Sequence, residues 1–79
     1  MQFLRFAGTK GFRFHFDSNE GHEPPHVHIR RAEDTCKFRL LPVELVYNVG
    51  MSSPELGELE RIVREHAEEF VEKWHEYFG

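Results

Sequence analysis

The chain has 79 residues, 39% hydrophobic and 30% charged, with a formal net charge of −4. A chain this short is one domain, buries only roughly 60% of its unfolded surface and gains from a partner subunit. No apolar run reaches the length of a membrane span, the opening residues lack a signal-peptide core, and the single Cys36 cannot form an internal disulfide, so a cytoplasmic location with no membrane partner is expected. The charge is uneven. Residues 1 to 53 hold seven Lys/Arg against six Asp/Glu, whereas residues 54 to 79 hold three against eight Glu.

"FLRFA" reads as a short first strand, closed by the turn "GTKG" from Gly8 to Gly11. "GFRFHFDS" then alternates strictly, with Phe12, Phe14 and Phe16 on one side and Arg13, His15 and Asp17 on the other, the period of a half-buried strand. "SNEGHEPP" is turn chemistry, and Pro25 cannot donate a ladder hydrogen bond, so the next strand begins near it. "HVHIR" alternates again, setting Val27 and Ile29 against His26, His28 and Arg30, and "TCKFRLL" sets Cys36, Phe38 and Leu40 against Lys37 and Arg39. "PVELVYNVG" supplies a last extended piece. Ser52 or Ser53 caps a helix with Pro54 in its first turn, along which Leu56, Leu59, Val63, Phe70, Trp74, Tyr77 and Phe78 form one apolar stripe. The expected fold is a small α+β domain: an antiparallel meander of three to five strands over about residues 1–49, one face covered by a C-terminal helix over about 53–78.

Keeping apolar residues opposite apolar residues pairs Phe14 with Ile29, His15 with His28 and Arg13 with Arg30. A turn at Glu33–Asp34 would pair Arg39 with His28 and Lys37 with Arg30. Arg13, His15, His26, His28, Arg30, Lys37 and Arg39 then share one face, with Asp17 at its end and nothing in the chain to cover it.

That face has several chemical uses. As a solvated sheet surface it needs no ligand. As an interface with a protein partner or a second copy it draws on Arg13, Arg30, Lys37 and Arg39, which suit anions and carboxylates. As a nucleic-acid surface or small metal-independent nuclease, it uses His15, His26 or His28 as acid and base, with Arg13 and Arg30 on phosphate. As a metal site it is the weakest: His26 and His28 point the same way on a strand, and His15 or His22 could add a ligand for zinc or nickel. Flanking arginines and the lack of a second carboxylate oppose that use, so no metal and no cofactor are expected. Cys36 reads as core, His66 as a helix residue at the core edge, and His75 as surface.

The string "FRFHFDSNEGHEPPHVHIR", the later "LPVEL" and the closing Trp74, Tyr77 and Phe78 resemble a family of short bacterial proteins, domain of unknown function 4160, over about Gly11 to Phe78. Lys37 matches that family, whereas a tryptophan is common where this chain has Arg39. The resemblance carries Pro24, Pro25, His26 and His28 over as a motif and implies no known activity. It also implies an association with two-gene units of the toxin–antitoxin kind. The combined expectation is a non-enzymatic interaction module acting through the His/Arg face.

Overall fold

The alternation of phenylalanine with polar residues does produce a two-faced sheet. A computed structural model of the protein describes residues 2–4 and 10–79. Among these, five strands run β1 (Gln2–Leu4), β2 (Arg13–Phe16), β3 (His26–Arg31), β4 (Asp34–Leu40) and β5 (Val43–Val49), followed by one helix, α1 (Ser53–Phe78). The strands are antiparallel neighbours in chain order, β1-β2-β3-β4-β5. The remainder of the expected first strand and the first half of the "GTKG" turn, residues 8 and 9, lie outside the described residues. No helix among the described residues is long and apolar enough to cross a membrane.

The apolar side of the sheet holds Phe14, Phe16, Val27, Ile29, Cys36, Phe38 and Leu40, all buried. Helix α1 covers it with Leu59, Ile62, Val63, Phe70 and Trp74, and Phe70 lies 5.9 Å from Phe14 between ring centroids. The helix starts where the serines suggest. Ser52 is the N-cap, the Glu55 N–H donates to Ser52 Oγ (3.3 Å), and the Ser52 N–H donates to Glu55 Oε1 (2.8 Å). This capping box fixes the first turn. At the preceding corner Gly50 takes φ +95°, and the Asn48 amide bonds both the N–H and the carbonyl of Met51 at 3.0 Å. Arg31 ties β3 to the helix, pairing with Glu55 while its guanidinium lies 4.2 Å from the centroid of the Phe12 ring.

One register detail differs from expectation. The β3–β4 turn is Ala32–Glu33, with Ala32 left-handed (φ 54°) and Arg31 opposite Asp34. The pairing is therefore displaced by two residues: Lys37 faces His28 instead of Arg30, and Arg39 faces His26 instead of His28. A two-residue slip preserves every face, so the hydrophobic pattern cannot select between these registers, and the turn decides. Arg13 does face Arg30, but Lys37 does not join them: the residue beyond Arg30 is Thr35. A bulge also interrupts the pairing of β4 with β5. Phe38 pairs with Leu45 and Lys37 with Tyr47, leaving Val46 as the extra residue and turning Tyr47 to the side of Lys37 and the histidines.

Candidate functional site

Strands β2 and β3 bring three imidazoles together on the side away from α1. His15 faces His28 across the ladder, their rings stacked with centroids 5.4 Å apart, and His26 meets His28 edge-on at 5.1 Å. Sequence alternation leaves this face open, yet His15, His26 and His28 are only 5%, 2% and 6% exposed. The cover is the β2–β3 connection, residues 17–25. Hydrogen bonds from the Glu20 N–H to the Asp17 carbonyl (3.4 Å) and from the Glu23 N–H to the Glu20 carbonyl (3.1 Å) coil it back over the sheet. The loop is backed in turn by the last turns of α1. Trp74 packs 4.7 Å from the His26 ring where β3 begins, and Phe78 lies so close to Gly21 that a Cβ there would collide with its ring.

The loop delivers carboxylates to the buried rings. Glu20 Oε1 stands 2.8 Å from His26 Nε2 and 2.6 Å from His28 Nε2. Asp17 reaches the other pair, with Oδ1 3.1 Å from His15 Nδ1 and Oδ2 3.5 Å from His28 Nε2. Burial opposes ionisation of Glu20, but the hydrogen bonds with His26 and His28 outweigh it and bring its carboxyl down to about 2. His15 is lowered from its ordinary value because burial disfavours the imidazolium, which Asp17 only partly offsets.

The prolines act through their carbonyls. His26 Nδ1–H donates to the Pro24 carbonyl (2.9 Å), and the Leu40 N–H donates to the Pro25 carbonyl (3.0 Å), which docks the loop's end on β4. Proline before a strand holds these carbonyls in fixed directions. On the far side of His28, its Nδ1 is 3.3 Å from the Tyr47 hydroxyl.

The cations of the face are distributed around this centre. Lys37 Nζ donates to Glu23 Oε1 (2.8 Å), which holds the Glu23 carboxyl below its ordinary value, and Arg39 donates to Glu44 Oε1 (3.1 Å). Arg13 and Arg30 lie together at the exposed end. Two clefts flank the centre: an open one of about 420 Å³ lined by Asp17, Ser18, Asn19 and Glu20, and a narrower one of about 170 Å³ lined by Glu23, Pro24, His26, Lys37, Arg39 and Val46. His22 is exposed and outside the cluster. Cys36 is buried, which pushes its thiol up to about 11 and leaves it unreactive. His66 is half-buried against Phe70 (5.8 Å), and His75 is exposed.

Glu20 and Tyr47 are the members that alternation alone does not find. Buried imidazoles need hydrogen-bond partners, so the acids of the intervening loop were the available indication of Glu20. Tyr47 depends on the β5 bulge, which no residue in "PVELVYNVG" announces.

No curated protein and no solved structure matches the chain. The family model for the domain of unknown function DUF4160 matches residues 11–75, a span that includes the loop, both prolines, all three clustered histidines and Trp74. The chain therefore belongs to the DUF4160 family.

Proposed function

We propose that the chain is a protein-interaction module whose contact surface is the apolar strip along β5, beside the roofed histidines. One observation carries this reading: Val46, Tyr47 and Val49 are 45%, 39% and 58% exposed on the last strand of the sheet. Val46 lines the cleft with Lys37 and Arg39, Tyr47 faces Lys37, and Val49 faces Thr35, so the three are grouped on the histidine side. A contiguous apolar strip on a small domain marks a binding surface. The β5 bulge breaks the regular edge, so the strip binds through side chains and does not extend the ladder. Lys37 and Arg39 are already paired with Glu23 and Glu44, so exposed Arg30, across Thr35 from Val49, is the residue that favours a partner bordering its own apolar residues with carboxylates. In the toxin–antitoxin setting that the family resemblance implies, this partner is the other half of the pair.

The competing nuclease reading needs His15, His26 or His28 to meet a phosphodiester. All three lie under residues 17–25, with their nitrogens engaged by Asp17, Glu20, Pro24 and Tyr47. Binding through the exposed strip requires no such opening.

A photocrosslinking residue at position 49, expressed in cells, tests the proposal. The expected result is one discrete adduct that excess unlabelled protein competes away and that Val46→Asp abolishes, with none from a control at Glu68 on the exposed helix face. The same adducts from both positions, or none from position 49, contradict it.

A further inference from the structure

The bonding around Glu20 leaves a question of charge that extends beyond the partner strip. The Pro24 carbonyl can only accept, so His26 carries its proton on Nδ1 and a neutral ring presents its lone pair at Nε2. That lone pair points at Glu20 Oε1, an oxygen that also only accepts when ionised, 2.8 Å away. His28 Nε2 converges on the same oxygen at 2.6 Å. A proton or a metal ion therefore has to lie between His26 Nε2 and Glu20 Oε1, and another between His28 Nε2 and the same oxygen. Protons can serve, but one carboxylate oxygen must then take both; a divalent ion replaces both at once.

The surroundings match those of a metal ligand set. Histidines that bind metal through one nitrogen fix the ring by donating from the other to a carbonyl, carboxylate or hydroxyl. Pro24 does this for His26, and the Tyr47 hydroxyl, 3.3 Å from His28 Nδ1, can accept a proton from that ring in the same way. The three donor atoms lie within 4.8 Å of one another. Metal–ligand bonds of about 2.0–2.2 Å put tetrahedral donors about 3.4 Å apart, so Glu20 needs to withdraw from the two nitrogens by roughly 0.6–0.8 Å. Asp17 Oδ2, 3.5 Å from His28 Nε2, is close to that spacing already, and Asp17 and Glu20 both border the open cleft. The nearby cations do not forbid an ion, because Lys37 is held by Glu23 and Arg39 by Glu44. Two carboxylates are present where the alternating pattern offered only Asp17 at the face's end.

The geometry points to a site for one divalent first-row transition ion held by His26, His28 and Glu20, with Asp17 at its open side. Imidazole donors select zinc, nickel or cobalt over magnesium and calcium, which take oxygen.

The test uses the full chain without an affinity tag, stripped with chelator and titrated with zinc against a chromophoric chelator, alongside the visible spectrum with cobalt(II). One equivalent is expected, with the cobalt bands of a low-symmetry nitrogen–oxygen site. His28→Ala lowers affinity about 100-fold or more, beyond the range for losing a supporting partner. His22→Ala and His75→Ala leave it unchanged. Should His28→Ala fail to fold by circular dichroism, Glu20→Gln, which keeps an acceptor oxygen, decides, with an expected loss of about 10-fold or more. Absence of stoichiometric binding overturns the assignment. So does binding that survives these substitutions, or that disappears with His22→Ala.

Discussion

Glu20→Ala lowers the unfolding midpoint by about 10 °C, although Glu20 sits in a surface turn and contributes nothing to the apolar core. Its carboxylate is the shared partner of two imidazoles that are 2% and 6% exposed. Removing it strands buried polar nitrogens, at about 1–3 kcal/mol for such a group. Water reaching through the open cleft keeps the loss near about 2 kcal/mol, and each kcal/mol moves a domain of this size by about 4–8 °C. The neighbouring Glu23→Ala removes an ion pair on the more exposed rim and costs less than about 1 kcal/mol. Thermal unfolding followed by circular dichroism compares the two, and hydrogen exchange at amides 19 to 23 reports the loop directly. The Glu20→Ala loop exchanges faster while β4 stays protected. Equal midpoints for Glu20→Ala and wild type contradict the roofed arrangement.

Acid unfolds the metal-free protein in two stages whose signs follow from the same contacts. His15 is lowered in the fold, so below its ordinary value of 6.5 the unfolded chain takes up this proton first, and stability declines as pH falls. Glu20 is held at about 2 against an ordinary 4.5. Its contribution is complete above about 4.5 and is lost as pH falls from there towards 2, because the unfolded state again binds the proton first. Urea unfolding at a series of pH values separates the stages: Glu20→Gln shrinks the lower one, to which the Lys37-paired Glu23 also contributes, and leaves the upper. A wild type and a Glu20→Gln variant with the same slope between pH 4.5 and 2 count against Glu20 as the acid-sensitive clasp.

Much of the architecture is legible in residue order because it rests on period. Phe12, Phe14, Phe16, Val27, Ile29, Cys36, Phe38 and Leu40 can be buried together only if His15, His26 and His28 share the other side. Ser52, Pro54 and Glu55 mark the helix start by local capping chemistry. The loop was harder to read. Glu20 and Asp17 stand among Ser, Asn and Gly, a composition that also describes a solvated turn, and only the folded backbone shows that the turn coils inwards. The β3–β4 register escaped for a symmetric reason, since a slip of two residues keeps Phe38 and Cys36 inside. Tyr47 escaped because one extra residue at Val46 reverses the parity of everything after it.

Residues 17–25 close over the histidines, lock the His26 ring on Pro24 and aim its other nitrogen at Glu20. Long-range nitrogen–proton NMR of the imidazoles, on chelator-treated protein near neutral pH, tests it most directly. The expected result is a slowly exchanging proton on His26 Nδ1, against the usual preference of a free imidazole for Nε2. A His26 ring protonated at Nε2 alone, with a bare Nδ1 facing the Pro24 carbonyl, would contradict it.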